Sequence, residues 1–263
     1  MSALYDQIGD GYDTTRRADP AIVRRLAAYL TLAPGRRYLD VGCGTGNYTA
    51  ALAALGGVWH GVDPSRQMLA AARAKAPSLA WREGSAEALP FDAAVFDGVL
   101  CMLSIHHFTD LPAAFAEIGR VLRPGGRAAI FTATPEQVRR YWVNHYFPEM
   151  MARDYAQLPA IERMAPLMAE NHLGLTDIAP FFITADTADF FFYSGKLRPE
   201  MYLSEDIRAG MSCFRAPISD AELAAGLARL AADIADRSID RIIAESLNDI
   251  GDYCFIAMTR AAA

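Results

Sequence analysis

Three glycines at alternate positions, with an acidic residue on either side, have the types and spacing of a nucleotide-like ligand site. Gly42, Gly44 and Gly46 follow a short apolar run that contains Asp40. Because glycine has no Cβ, such a turn lets a ligand approach the backbone, and it leaves free N–H groups at the start of a helix. Asp63 ends the next apolar run, where a carboxylate can accept hydrogen bonds from both ribose hydroxyls. The alternative interpretation is a tight turn with an unrelated surface aspartate. The order of the elements, in which a strand, the glycine loop, a helix and a second strand lead to the acidic residue, favours a cofactor site.

Two adjacent histidines have the chemistry to act on a second substrate. His106 and His107 follow a predicted strand at the edge where open α/β sheets bind ligands. Histidine titrates near neutral pH, so either residue could deprotonate or orient a substrate. We prefer His106, which would share a face with Phe108 in an extended segment; the alternative is that one histidine packs under the next helix and the other faces solvent. Neighbouring side chains point apart, so the pair predicts no metal site.

The elements that must position these residues alternate between strand and helix. Apolar runs predict strands over 37–41, 58–62, 79–82, 95–102 and 127–133, with helices between them. This alternation predicts a doubly wound α/β fold over residues 36–133, after an N-terminal helical cap in residues 1–35. In residues 134–263 we expect a helix over 139–153, strands over 177–184 and 253–259, and a helix that begins with a capping box at Ser219. No linker divides the chain, so we expect one domain.

Five motifs in order resemble class I S-adenosylmethionine-dependent methyltransferases, most closely the small-molecule branch that includes the ubiquinone and menaquinone enzymes. They are Leu39-Asp-Val-Gly-Cys-Gly-Thr-Gly46, Gly61-Val-Asp-Pro-Ser65, Glu83-Gly-Ser-Ala-Glu-Ala-Leu-Pro-Phe91, Phe96-Asp-Gly-Val99 and Arg120-Val-Leu-Arg-Pro-Gly-Gly126. Tyr5-Asp6 and Tyr12-Asp13 resemble the segment that closes over the cofactor there. The resemblance covers about half of the chain and implies a mostly parallel seven-stranded sheet, with helical additions after the fifth strand.

The same resemblance implies S-adenosylmethionine as the cofactor and assigns roles to residues. Asp40 would reach its amino group directly or through water, Asp63 would hold the ribose hydroxyls, and Met68 would pack near the adenine. Backbone at Gly42 and Gly44 would lie along its methionine part. Cys101 would lie near the methyl group, or would be a buried apolar residue. The implied cofactor-binding set is Tyr12, Arg17, Asp40, Gly42, Gly44, Gly46, Asp63, Met68, Ser85, Ala86, Glu87 and Cys101.

Several residues outside the motifs have two interpretations each. Arg16 and Arg17 could bind a carboxylate of cofactor or substrate, or be solvated surface arginines. The aromatic segments 141–147 and 181–193 could line a pocket for an aromatic or heteroaromatic acceptor, or belong to the core. If they line the pocket, Tyr193, Lys196 and Arg198 would be its polar contacts.

Composition excludes some classes of partner. The chain has 263 residues, a formal charge of −6 and an isoelectric point near 5.4, so we expect no nucleic-acid partner. Four dispersed cysteines without a C-x-x-C pair indicate free thiols. The N-terminal sequence lacks a signal-peptide pattern and no run is apolar enough for a membrane span, so we expect a cytoplasmic protein, as monomer or homodimer.

These observations predict a methyltransferase that acts on a small organic acceptor by in-line displacement, and the histidine pair favours oxygen or nitrogen over carbon. A non-catalytic S-adenosylmethionine-binding protein is the main alternative. An NAD-dependent oxidoreductase is disfavoured because the loop lacks the G-x-G-x-x-G spacing. A nucleic-acid methyltransferase is disfavoured too, since the segment Met102–Phe108 lacks the Asn/Asp/Ser-Pro-Pro-Tyr/Phe motif.

Overall fold

Seven strands form one sheet in the computed structural model, which describes residues 12–215 and 218–262. The sheet order is β3-β2-β1-β4-β5-β7-β6; β7 runs antiparallel to both of its neighbours, and the other pairs are parallel. The strands are β1 (Arg37–Val41), β2 (Val58–Asp63), β3 (Ala80–Glu83), β4 (Phe96–Met102), β5 (Leu122–Thr132), β6 (Leu173–Phe181) and β7 (Tyr253–Arg260). The doubly wound, mostly parallel seven-stranded fold is therefore confirmed.

Helices and turns surround this sheet. The α-helices are α1 (Tyr12–Thr15), α2 (Pro20–Leu30), α3 (Asn47–Ala53), α4 (Arg66–Lys75), α5 (Leu111–Val121), α6 (Pro135–Arg139), α7 (Pro148–Gln157), α8 (Ile161–Glu170), α9 (Glu205–Ala209), α10 (Ser212–Arg215), α11 (Asp220–Ala235) and α12 (Ile239–Glu245). Short 3-10 turns lie at Ile105–His107, Trp142–His145, Phe192–Gly195 and Pro199–Leu203. Among the described residues, no helix combines the length and apolarity needed to cross a membrane. Tyr5 and Asp6, which resemble the cofactor-covering segment, lie outside the described residues.

Alternate residues of the central strands pack into two apolar layers, one on each face of the sheet. On β1, Tyr38 belongs to one layer, while Leu39 and Val41 belong to the other. On β5, Phe131 and Ile130 divide in the same way. Strands buried on both faces read as continuous apolar runs, which is why the sequence shows them clearly.

The fifth strand is longer than predicted because it contains a wide bulge. Leu122 pairs with Phe96 and Arg127 pairs with Gly98, so the segment 123–126 lies opposite a single residue of β4. Gly125 has a φ of 76°, in the left-handed region that glycine adopts without strain. The segment 123–126 therefore interrupts a strand that begins at Leu122, five residues before the predicted start at 127.

Two predictions for the last half of the chain are wrong. The expected helix over 139–153 is broken into α6, a 3-10 turn and α7, because Pro148 lacks an N–H and instead starts a new helix. The expected strand over 177–184 is shifted, since β6 spans Leu173–Phe181. β6 is an edge strand with one largely exposed face, so its apolar pattern is weak, and Pro180 is tolerated there.

Candidate functional site

A cavity of about 400 Å³ opens at the carboxyl ends of the parallel strands. β1 and β4 are neighbours; the chain continues from β1 to β2 on one side and from β4 to β5 on the other, so the loops after β1 and β4 separate. The lining residues come from those loops, from the N-terminal segment and from the additions after β5. One cavity thus joins the predicted cofactor residues to the aromatic segments.

In the glycine loop, Gly42 and Gly44 line the cavity, and Gly42 and Gly46 have no room for a Cβ. A Cβ on Gly42 would lie 2.5 Å from Ser104 Cβ, and one on Gly46 would lie 2.4 Å from the Trp81 ring. Gly44, with a φ of 54°, lines the cavity and has open space where a Cβ would stand. Gly44 therefore lets a ligand approach the loop backbone, while Gly46 lies outside the cavity lining.

The N–H groups of the three glycines all have acceptors within the protein, and the free N–H groups predicted for the start of the helix belong to α3, which begins at Asn47. The Gly42 N–H donates to the Val62 carbonyl at 2.8 Å, and the Gly46 N–H donates to the Cys43 carbonyl at 2.9 Å. The Gly44 N–H donates to Asp63 Oδ2 at 2.9 Å. The Gly42 and Gly44 donors hold the loop against β2, so these two N–H groups are already used within the protein.

The two acidic residues differ in what their oxygens do. Asp63 accepts from the Gly44 N–H and, through Oδ1, from the Ser65 N–H at 2.9 Å, so it fixes the loop and lines the cavity. Asp40 Oδ2 accepts from the Thr49 hydroxyl at 2.6 Å. Asp40 Oδ1 is buried and has no hydrogen-bond partner among the described residues.

An unpartnered buried carboxylate oxygen is costly, so Asp40 is the strongest sign of a missing ligand. Burial raises the pKa of Asp40 to about 7, against the Thr49 hydrogen bond, which lowers it. A ligand cation beside Oδ1 would favour the ionised form. The amino group of S-adenosylmethionine is such a cation, the open space at Gly44 suits its aliphatic part, and Asp63 brings a carboxylate, the kind of group that accepts from hydroxyls, to the same lining. The residues present therefore fit this cofactor.

Most of the residues selected from the sequence line the cavity. Those that do are Tyr12, Asp40, Gly42, Gly44, Asp63, Met68, Ser85, Ala86, Glu87, His106 and His107. From the aromatic segments, Tyr141, Phe191 and Phe192 line it as well. Cys101 is buried in the core and does not line the cavity, which corrects its placement near the methyl group.

Arg17 also lies outside the lining, and Arg16 takes the place expected for it. The Arg17 Nε donates to the Ala188 carbonyl at 2.9 Å, which directs its side chain away from the cavity. Arg16 lines the cavity and binds Asp189 at 2.7 Å, while its second nitrogen donates to the Tyr12 hydroxyl at 2.6 Å. Arg16 is thus already paired within the protein and holds Tyr12 in place.

The predicted acceptor contacts Tyr193, Lys196 and Arg198 are absent from the lining. Lys196 instead forms a buried ion pair with Asp252. Sequence reasoning missed two carboxylates that do line the cavity, Asp154 and Asp189. Neither belongs to a motif, and both lie among the additions after β5, where the helix and strand periods are weak.

The histidines are neutral and stand together in the 3-10 turn after β4. Their ring centroids are 3.9 Å apart. Burial, and to a smaller extent electrostatic repulsion from the neighbouring His107, lowers the pKa of His106 well below its usual value. Burial also lowers the pKa of His107, to about 4. His106 Nδ1 is buried without a hydrogen-bond partner among the described residues. A neutral imidazole of this kind is a weak base, and it suits the acceptance of a hydrogen bond from a substrate.

Several known proteins are similar to this chain in sequence and in fold. Residues 39–130 match the methyltransferase domain family. A protein of Anabaena variabilis that is assigned as a methyltransferase of an antibiotic biosynthesis pathway superposes with a TM-score of 0.82 at 33% identity, over 93% of this chain and 99% of that one. The malonyl-[acyl-carrier protein] O-methyltransferase of Erwinia pyrifoliae is 31% identical over 67% of this chain and 68% of its own.

A demethylmenaquinone methyltransferase of Symbiobacterium thermophilum is 35% identical over 47% of this chain and 55% of its own. For several curated relatives that it matches, this chain covers only part of their length, from 27% to 59%. The relatives named here nevertheless agree on the class of enzyme, and two of them are matched over at least two thirds of their length. The chain belongs to the class I S-adenosylmethionine-dependent methyltransferases.

Proposed function

We propose that the protein transfers a methyl group from S-adenosylmethionine to a small organic acceptor, at an oxygen or nitrogen atom. The observation that carries this proposal is the unpartnered Asp40 Oδ1, in the cavity that the open face of Gly44 also lines. The same cavity extends past His106 to an aromatic wall formed by Tyr141 and Phe191. It therefore has room for a cofactor at one end and for an acceptor at the other.

In this arrangement the cofactor is held by residues from three strand ends. Asp40 binds the amino group, Asp63 receives the ribose hydroxyls, and Met68 packs near the adenine beside Ala86. Tyr12, held by Arg16, covers the cofactor from the N-terminal side. When bound, S-adenosylmethionine supplies a methyl group on a sulfonium that is already activated.

The protein's own contribution is to align the acceptor and to exclude water. Phe192 and Met211 supply apolar wall on the side away from the glycine loop. His106 accepts a hydrogen bond from the acceptor, directs the acceptor's lone pair toward the methyl group, and takes up the proton that the acceptor loses as the new bond to the methyl carbon forms and the carbon–sulfur bond breaks. This role needs neutral imidazole, which the lowered pKa of His106 ensures near neutral pH. A hydroxyl or N–H acceptor suits such a partner better than carbon.

Calorimetric titration with S-adenosylhomocysteine, run beside NAD, tests the cofactor. We expect micromolar binding, about −8 kcal/mol, of the first ligand alone. Transfer of isotope-labelled methyl groups to a library of small hydroxyl and amine compounds then tests turnover. Binding without transfer to any of them would favour the alternative, a non-catalytic S-adenosylmethionine-binding protein.

Asp63→Ala should weaken S-adenosylhomocysteine binding by about 1–3 kcal/mol, the range for a lost hydrogen bond to a charged group. The variant also loses the acceptor for the Gly44 N–H, so part of this effect comes through the loop. Calorimetry measures it, and Asp63→Asn, which keeps one acceptor oxygen, should bind with intermediate affinity. Unchanged affinity in the alanine variant would remove Asp63 from the site.

His106→Ala should lower kcat by about 100-fold, near the lower end of the range for a positioned histidine, because its basicity is reduced. KM should change little, since the hydrogen bond matters most in the transition state. Steady-state rates with an acceptor found in the screen provide the measurement. His145→Ala, at an exposed histidine outside the cavity lining, is the matched control. A kcat equal in both variants would end the proposed role.

A further inference from the structure

One of the carboxyl groups that line the cavity, that of Asp154, has no function in the cofactor site. Asp154 belongs to α7 and lines the cavity together with Leu158 of the following segment. It lies close to the thiol of Cys213 and the hydroxyl of Tyr253: after burial, its charge contributes to raising the pKa of both groups. These neighbours come from α10 and from the start of β7, so Asp154 belongs to the acceptor end of the cavity.

Strand spacing separates Asp154 from the cofactor's amino group. Asp40 lies on β1, and Tyr253 begins β7, which is three strands away in the order β1-β4-β5-β7. Neighbouring strands lie about 4.8 Å apart, so β1 and β7 are separated by roughly 14 Å. A group that binds beside Tyr253 is therefore distinct from one that Asp40 holds.

Asp154 differs from the other cavity carboxylates because no described residue donates a hydrogen bond or an ion pair to it. Each of the others has a donor within the protein: Asp40 has Thr49, Asp63 has Gly44 and Ser65, Glu87 has Thr109, and Asp189 has Arg16 and Tyr48. Within the described ranges 12–215 and 218–262, Arg16 is the one Lys or Arg residue that lines the cavity. Arg16 already forms an ion pair with Asp189. The described wall thus offers no cation to Asp154.

The surroundings of Asp154 are largely apolar. Asp154 is half-buried, and Leu158, Met211, Cys213 and Phe192 line the same cavity. Burial raises the pKa of Asp154 to about 6, which still leaves it mostly ionised at pH 7.5. A carboxylate among apolar groups is stabilised when a cation with N–H donors enters beside it. The apolar wall at the same time favours an acceptor with an aromatic or aliphatic body.

We propose that Asp154 selects acceptors that carry an ammonium group on an aromatic or aliphatic body, by binding that ammonium at the end of the cavity away from the cofactor. This inference rests on the proposed methyltransferase function. The ammonium held by Asp154 has no lone pair, so it positions the acceptor and is not itself methylated. The methyl group goes to a second heteroatom of the acceptor, which reaches His106.

Three phenols that differ in one group test this selectivity: tyramine with an ammonium group, tyrosol with a hydroxyl, and 3-(4-hydroxyphenyl)propionate with a carboxylate. Their binding is measured by calorimetry at pH 7.5 with saturating S-adenosylhomocysteine. We expect tyramine to bind at least ten-fold more tightly than tyrosol, and the propionate to bind most weakly. In Asp154→Asn, tyramine and tyrosol should bind with equal affinity.

Glu149→Gln, an exposed substitution on the same helix, is the matched control and should keep the tyramine preference. In Asp154→Asn the unfolding temperature and the affinity for S-adenosylhomocysteine should equal or exceed those of the unsubstituted protein. This result would show that the fold and the cofactor site persist in the variant. If the unsubstituted protein binds S-adenosylhomocysteine but does not prefer tyramine, or binds none of the phenols, the selectivity inference is overturned while the cofactor assignment stands. A tyramine preference that survives in Asp154→Asn overturns it too. Failure to bind S-adenosylhomocysteine at all would instead contradict the proposed function.

Discussion

At pH 8 the Asp40→Asn variant should bind S-adenosylhomocysteine about 10- to 100-fold more weakly than the unsubstituted protein, yet unfold at a higher temperature when no ligand is present. The loss of affinity follows from the amino group of the ligand, which would face an amide in place of a carboxylate. A hydrogen bond to a charged group contributes about 1.5–3 kcal/mol. The gain in stability follows from the removal of a buried, half-partnered charge.

The sign of the stability effect depends on pH. Burial raises the pKa of Asp40 from 3.8 to about 7 in the folded protein, so the folded state holds this proton more tightly than the unfolded chain does. The resulting stabilisation is fully present below pH 3.8 and is lost as the pH rises through 7. A shift of this size corresponds to about 4 kcal/mol at most. The asparagine of Asp40→Asn carries no charge and avoids this loss, but its N–H₂ group faces the cavity. Above pH 7 we therefore expect this variant to regain about 1–3 kcal/mol of the free energy of unfolding.

Thermal unfolding at pH 5 and pH 8, with and without ligand, measures both effects. Asp97→Asn is the matched control, because Asp97 lies on the neighbouring strand, accepts from Arg37 and Arg123, and does not line the cavity. It should lower stability slightly and leave affinity unchanged. If Asp40→Asn kept full affinity, Asp40 would not contact the ligand. If its stability relative to the unsubstituted protein were the same at both pH values, burial would not be shifting the pKa of Asp40.

The predictions from sequence succeed where the signal lies within a short stretch of chain. Strands buried on both faces give apolar runs, and the glycine loop follows one of them directly. The end of β2 then places Asp63 beside the loop, since neighbouring parallel strands bring their carboxyl ends to the same edge. For these reasons eleven of the fourteen selected site residues line one cavity.

The failures concern contacts made across long stretches of chain. Arg16 and Arg17 look equivalent in sequence, and only the position of Asp189, 173 residues away from Arg16, decides which of them enters the cavity. Asp154 looks like an ordinary helix-surface residue until α10 and the start of β7 pack around it. The sequence of the glycine loop does not show which acceptors the Gly42 and Gly44 N–H groups use, because the Val62 carbonyl and the Asp63 side chain belong to another strand. No periodic pattern encodes such pairings.

Lys196→Met should destabilise the protein by about 3–5 kcal/mol, the cost of leaving one member of a buried ion pair alone. The Lys196 and Asp252 side chains are 4% and 0% exposed, and the Lys196 Nζ contacts both carboxylate oxygens, at 2.7 and 2.9 Å. Asp252 also accepts from the Ile183 N–H at 2.8 Å. Without the ammonium, the buried carboxylate would keep that amide as its donor and would lose its counter-charge.

Urea unfolding measures this loss against a total stability that is commonly about 5–15 kcal/mol. Arg237→Met is the matched control, because Arg237 pairs with Asp240 at 2.7 Å where the two side chains are 82% and 57% exposed. Such surface pairs contribute at most about 1 kcal/mol, so this variant should unfold at nearly the same urea concentration as the unsubstituted protein. Equal losses in the two variants would show that burial does not distinguish the two pairs.

The double variant Lys196→Met/Asp252→Asn separates the cost of an unpaired charge from the loss of packing. Asparagine can still accept from the Ile183 N–H, and no charge remains buried, so at least half of the lost stability should return. The Lys196–Asp252 ion pair also supports the acceptor end of the cavity. Asp252 directly precedes Tyr253, and the Asp252 carbonyl accepts a hydrogen bond from the Tyr141 hydroxyl. Both tyrosines line the cavity. We therefore expect the single variant to weaken acceptor binding more than S-adenosylhomocysteine binding. A double variant no more stable than Lys196→Met would mean that packing of the lysine chain, and not its charge, holds this region together.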